Sequence, residues 1–211
     1  MKLVLASFFG FISILLVVCV AWRISSSERA LPCPAWLGWL IGMDNPFAKI
    51  HHAKVIALHL ELLPGMKVLD AGCGPGRVAV PIAEWVGVDG EVVAMDIQEG
   101  MLKQLEQKVS EKGLQNVIPL QGALGFGNLP RAHFDRALLV TVLGEIPDKE
   151  SAMKELFDTL KPGGMLVITE MVFDPHFQRK AVVLKLASEA GFCVKENFGN
   201  ALAYTIQLQK K

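Results

Sequence analysis

The chain has no surplus of charge of either sign: 21 Lys and Arg balance 21 Asp and Glu. It therefore has no global basic field and no visible basic groove or arm, which argues against nucleic-acid partners. Cysteine is scarce. Cys19, Cys33, Cys73 and Cys193 show no Cys-x-x-Cys pair and no Cys/His metal spacing. Neither a disulfide framework nor a metal site is expected, and a reducing compartment fits. Repeats and low-complexity tracts are absent. Disorder is excluded as the main state, because 52% of the side chains are hydrophobic. A chain of 211 residues buries a core unaided and suits one domain plus a short appendage.

What the chain does have is a long apolar run at one end. Mean hydropathy is +0.38, and residues Leu3 to Trp22 carry no charge. About 20 apolar residues match the thickness of a bilayer core as a helix. Lys2 and Arg23 bracket the run, and Trp22 sits at its edge, where an indole prefers the lipid–water interface. The expectation is a single transmembrane helix in residues 1–23, meeting the bilayer through residues 3–22, with the following domain cytoplasmic. A cleaved signal peptide, with Cys19-Val20-Ala21 as its small-residue site, is the rival. Residues 24–44 read as a polar, proline-bearing linker and then an apolar stretch, Trp36 to Met43, too short to span. That stretch either lies at the membrane interface or caps the domain over its active site.

Residues 45–211 alternate strand and helix. The pattern predicts a helix over Lys49–Leu63, a strand over Met66–Ala71 and a glycine loop. A helix over Arg77–Val86, a strand over Glu91–Asp96 and a helix over Glu99–Lys112 come next. Strands over Asn116–Gln121 and Phe134–Val140 precede a helix over Asp148–Leu160, with Asp148 as its cap. A strand over Gly164–Glu170 and a helix over Gln178–Ala190 lead to strands over Phe192–Asn197 and Ala203–Gln209. The short Gly199-Asn200 turn makes those last two antiparallel neighbours. Such β-α repeats build an α/β domain with a parallel sheet covered by helices, and ligands bind at the carboxyl ends of its strands.

The loop Asp70-Ala71-Gly72-Cys73-Gly74-Pro75-Gly76-Arg77 joins a strand to a helix. Its three alternating glycines allow a tight turn and close approach of a ligand. Three ligand classes compete. A P-loop needs Lys-Ser/Thr after its last glycine, which is missing. A dinucleotide site is matched formally by Gly74-Pro75-Gly76-Arg77-Val78-Ala79 with Asp96 further on. Asp70 argues against it, because a carboxylate there repels a pyrophosphate. The same carboxylate suits the third class, a cationic ligand bearing an ammonium group. Asp96, ending its strand, is placed to accept hydrogen bonds from ribose hydroxyls.

Val68-Leu69-Asp70-Ala71-Gly72-Cys73-Gly74-Pro75-Gly76 resembles the first motif of the class I S-adenosylmethionine-dependent methyltransferases. Val93-Ala94-Met95-Asp96, Phe134 to Val140 and Leu160-Lys161-Pro162-Gly163-Gly164-Met165-Leu166-Val167-Ile168 are similar to later motifs of that family, in its order. The resemblance covers about residues 45–211. It implies a Rossmann-like seven-stranded methyltransferase sheet in order 3-2-1-4-5-7-6 with strand 7 antiparallel, and S-adenosyl-L-methionine as cofactor. Carried over by position, Asp70, Gly72, Gly74 and Gly76 line the methionine side, Asp96 holds the ribose, and Ile97 lies against the adenine. The chain departs from the family at Gln121-Gly122-Ala123-Leu124, where an acidic or amide residue is usual. Backbone groups of Ala123 or Leu124 are the substitutes.

The implied function is methyl transfer to a small, lipophilic or membrane-associated acceptor through an O, S, N or C nucleophile. The alternative is a non-catalytic S-adenosylmethionine-binding or membrane scaffold protein. Candidate bases fall in the loops after the fourth and fifth strands: Glu145 and His176 foremost, with Glu170 and Asp174 beside them. His176 reads alternatively as a solvated loop histidine. Of His51 and His52, on the first helix, at least one is expected to face solvent. His59 and His133 read as surface residues and Asp135 as structural.

Overall fold

In a computed structural model the protein is described over residues 33–38, 42–44 and 49–211. The apolar run at 3–22 lies outside the described residues. Among those described, no helix is long and apolar enough to cross a membrane.

Seven strands form one sheet: β1 (Lys67–Ala71), β2 (Glu91–Asp96), β3 (Val117–Gln121), β4 (Phe134–Val140), β5 (Leu160–Met171), β6 (Cys193–Gly199) and β7 (Ala203–Gln209). Their order is β3-β2-β1-β4-β5-β7-β6. β7 runs antiparallel to both neighbours and the other pairings are parallel. The expected topology is thus the observed one. Among the described residues, α1 (Ala53–His59) precedes β1, and α2 (Ala79–Val86), α3 (Glu99–Glu111), α4 (Lys149–Thr159) and α5 (Lys180–Ala190) lie between strands.

Alternation along the strands sorts the core onto two faces. Val68, Val92, Leu138 and Val167 pack with Ile56, Ile82 and Leu105 beneath α1, α2 and α3. Leu69, Val93, Leu139 and Ile168 pack with Met153, Leu156 and Leu186 beneath α4 and α5. Both faces are covered, so the strand sequences are continuously apolar. The chain reverses direction across the sheet between β1 and β4, and the crevice beyond their carboxyl ends is where such folds hold ligands.

Several boundaries differ from the sequence pattern by one to four residues, and two of the larger differences have a visible cause. The helix expected from Lys49 begins only at Ala53, after a separate 3-10 turn at Lys49–His51. The Arg77 guanidinium takes the His51 carbonyl, and Asp44 Oδ1 accepts from the Ala53 N–H at 2.9 Å. These two contacts interrupt the helical ladder. β5 begins at Leu160 rather than Gly164. Leu160 pairs with Phe134, and after a register shift across Pro162-Gly163-Gly164 the ladder resumes at Met165. Asp148 caps α4 as expected, accepting from the Ser151 N–H at 2.9 Å. Asp135 is structural: it accepts from the Lys67 N–H at 2.8 Å and pairs with Lys161 at 2.7 Å. Cys33, Cys73 and Cys193 are free thiols.

Candidate active site

The glycine loop leaves β1 in left-handed steps, at φ 77° for Gly72, 51° for Gly74 and 81° for Gly76. L side chains avoid that region, so glycine is required. A Cβ on Gly72 would also overlap the Val142 side chain, and one on Gly76 the Leu105 side chain. The N–H groups of Gly72 and Cys73 donate to the Met95 carbonyl at 2.7 and 3.0 Å, fastening the loop to β2.

Asp96, at the end of β2, fixes the next wall. Its Oδ2 accepts from the Gly74 N–H and its Oδ1 from the Gln98 N–H, each at 2.9 Å. Each oxygen keeps a further lone pair for a ligand hydroxyl. Ile97 follows and is half exposed. The third wall is the loop after β3, with Ala123 and Leu124. The buried carboxylate of Glu155, on α4, holds that loop from below. It accepts from the Gly125 N–H at 2.6 Å and the Leu129 N–H at 3.1 Å.

The fourth wall turns on Thr141, a β-branched residue at φ 55°. Such a conformation costs on the order of 1–3 kcal/mol and persists only where surrounding contacts enforce it. Here its N–H donates to the Thr169 carbonyl at 2.8 Å. The reversal sets Val142 against Gly72 and starts the 3-10 turn Leu143–Glu145. Gly144 lies hard against the His176 backbone, with no room for a Cβ. His176 is buried, not solvated. Its Nδ1 lies 3.5 Å from Glu145 Oε1 and 3.9 Å from Asp174 Oδ1.

These walls enclose a cavity of about 670 Å³. It brings together Gly72, Gly74, Asp96, Ile97 and Ala123 with Glu145 and His176. Asp70 and Gly76 are not on its lining. Asp70 is buried beneath the loop, and its Oδ2 finds no hydrogen-bond partner among the described residues. Burial pushes its carboxyl up to about 7; Arg77 opposes the shift and Asp96 adds to it. Glu145 rises to about 8, mainly by burial and then by the neighbouring Asp174 and Asp96. Glu170 lies under the site rather than in it. It too rises to about 8 by burial, and the Gln178 N–H donates to its Oε2 at 3.0 Å.

Of the two histidines placed on the first helix, His51 is buried in the 3-10 turn and donates from Nε2 to the Glu170 carbonyl at 3.1 Å. His52 occupies the N-cap position of α1 and is partly exposed. His59 stacks on Phe198 with ring centroids 4.0 Å apart, and His133 meets Glu91 at 3.1 Å.

Sequence reasoning missed four contributors. Met95 and Met101 line the cavity as apolar residues of β2 and α3, with no signal beyond ordinary core periodicity. Glu155 could have been noticed as a carboxylate on the buried stripe of an amphipathic helix. Cys33 also lines the cavity. Its carbonyl accepts from Gln98 Nε2 and the Ala35 carbonyl from Gln104 Nε2, both at 2.8 Å. The 3-10 turn Ala35–Leu37 thereby rests on α3.

Residues 68–164 match the protein family described as a methyltransferase domain. The demethylmenaquinone methyltransferase of Geobacillus kaustophilus (strain HTA426) is 40% identical over 111 residues, 53% of this chain and 47% of that protein. The ubiquinone/menaquinone biosynthesis C-methyltransferase UbiE of Shewanella sp. (strain W3-18-1) is 37% identical over 114 residues, 54% of this chain and 45% of that protein. The chain spans about half the length of these curated relatives. A SAM-dependent methyltransferase from Aquifex aeolicus shares the fold, with TM-score 0.74 and 22% identity over 84% of this chain and 99% of that one. So does the [4+2]-cyclase SpnF, with TM-score 0.66 and 17% identity over 75% of this chain and 79% of that one.

Sheet order and glycine loop thus accompany a match, over residues 68–164, to a methyltransferase domain, on a fold shared with a solved SAM-dependent methyltransferase. The chain's cofactor is S-adenosyl-L-methionine, and the residues present fit that group. Gly72 and Gly74 present bare backbone to the cavity, Asp96 keeps lone pairs for hydroxyls, and the carboxylates Asp96, Glu145 and Asp174 favour a cation.

Proposed function

We propose that the protein transfers a methyl group to a small, lipophilic acceptor of the hydroquinone type, a quinone precursor, at a membrane surface. The observation that carries this reading is one cavity lined by two chemically distinct groups of residues. Gly72, Gly74 and Asp96 come from the loops at the ends of β1 and β2, and Glu145, Asp174 and His176 from the loops after β4 and β5, with Met95, Met101, Val142 and Ile146 among the apolar lining. The curated relatives named above support a quinone-type acceptor. The apolar run at residues 3–22 supports a single-pass anchor with the domain on the cytoplasmic side, where a lipid-borne substrate is met at high effective concentration.

S-adenosylmethionine supplies a methyl group already activated by the adjacent sulfonium. The chain's own residues align the acceptor, exclude water and manage a proton. The glycine loop and Asp96 would hold the cofactor, with Ile97 and the Ala123 backbone at its adenine end and Asp70 beneath the loop. Glu145, with a carboxyl near 8, is suited to take the proton of an acceptor hydroxyl at neutral pH. That charge on oxygen makes the ring carbon beside it nucleophilic. His176 and Asp174 pack against Glu145 and orient it.

Calorimetric titration of the full chain in lipid nanodiscs with S-adenosylmethionine, and separately with NADH, tests the cofactor half of this reading. Binding of the first alone is expected. Binding of NADH alone would overturn it.

A further inference from the structure

We propose that the mouth of the cavity is a membrane-docking surface: Phe126, Phe173 and Ile97 seat on the bilayer, and the acceptor enters from the lipid without crossing water. The inference rests on the anchored reading of residues 3–22 given above.

The rim is where the apolar exposure converges. Phe126 is 75% exposed and Phe173 is 80% exposed, yet both line the cavity. They come from different loops, after β3 and after β5. Ile97, after β2, adds a third exposed apolar side chain to the same lining. Single exposed hydrophobic residues need no explanation, but several around one opening do. A loop phenylalanine held in water over an aqueous substrate gains nothing there. Over a lipid surface it removes its ring from water and opens the cavity toward the phase that carries the acceptor.

The chain itself leads to this rim. Cys33 lines the cavity and is held there by Gln98. Ten residues, 23–32, separate it from the end of the apolar run. At roughly 3.3–3.6 Å per residue they reach at most about 35 Å. An anchor so tethered joins the domain at the cavity rather than at the opposite end of the strands. Trp36 follows Cys33 by three residues and is also largely exposed, as suits an interfacial indole.

Charge plays little part. The chain carries no net charge, and Asp148, the exposed acid of the lining, is engaged in capping α4 through Ser151. The partner is therefore a neutral lipid surface, and docking is insensitive to salt.

Full-length Phe173→Trp and Phe126→Trp, reconstituted in phosphatidylcholine vesicles with brominated acyl chains, test this. Val88→Trp is the reference, because Val88 is fully open to water in the turn before β2, at the opposite end of the strands. The emission added by each tryptophan over the parent is compared in brominated and plain vesicles, after flotation confirms recovery with lipid. The expected result is loss of most of the added emission at 173 and 126 and little loss at 88. Flotation with equal quenching at all three sites overturns the docking and leaves the anchor standing. Failure to float overturns both. Methyl transfer enters neither readout.

Discussion

Nδ1 of His176 lies 3.5 Å from Oε1 of Glu145, joining the loop after β5 to the 3-10 turn after β4. Two residues 31 positions apart in sequence are thereby brought together in the lining of the cavity. Burial there, with Asp174 and Asp96 nearby, raises the Glu145 carboxyl to about 8 and gives the site a group able to accept a proton near neutral pH.

That raised carboxyl sets a pH dependence. Glu145 ionises near 8, and only its carboxylate form accepts a proton. The rate of the native chain should climb as pH rises through about 8 and then level off. Glu145→Gln should remove the climb and lower kcat by roughly 10²–10⁴-fold, the usual contribution of a general base. A pH–rate profile of both proteins checks this.

Gly144 permits the pairing. A methyl group there has no space beside the His176 backbone. Gly144→Ala should push the two loops apart, cost about 1–3 kcal/mol by overpacking, and depress kcat more than cofactor affinity. Thermal melts read alongside S-adenosylmethionine titration separate the two effects.

Asp96 organises the cofactor end through the N–H groups of Gly74 and Gln98. Asp96→Ala frees both and removes the acceptor for ligand hydroxyls. A hydrogen bond to a charged group contributes about 1.5–3 kcal/mol, so the Kd for S-adenosylmethionine should rise at least tenfold. Calorimetry on the variant gives the answer.

Glu170 acts on stability. Its Oε1 is buried with no hydrogen-bond partner among the described residues, and its carboxyl is raised from 4.5 to about 8, chiefly by burial. The folded state holds this proton more tightly than the unfolded one. The stability it contributes is complete below about 4.5 and is lost as pH rises through about 8. Glu170→Gln keeps the neutral form throughout, and the amide oxygen still accepts from Gln178. The fall in Tm between about pH 5 and pH 8.5 should shrink in the variant.

The sheet and the glycine loop were legible in the sequence because they depend on local signals. Strand alternation, the three glycines and an acid closing each of the first two strands are contiguous features. The final strand pair was legible from Gly199-Asn200. Glu145 and His176 were legible only as candidates, because burial is a property of packing and not of spacing. His176 looks like a loop residue until the loop is seen folded under Glu145. The break before α1 depends on Asp44 and Arg77, which helical periodicity does not register. Glu155 works from the far side of a helix, holding a loop about 30 residues earlier.

The central claim is methyl transfer to a lipid-borne hydroquinone. Its most direct test gives the full chain, in lipid nanodiscs, methyl-labelled S-adenosylmethionine and an isoprenyl hydroquinone with one unsubstituted ring position. The account predicts label on that ring carbon, and its loss in Glu145→Gln. Cofactor bound without label in the hydroquinone would contradict it.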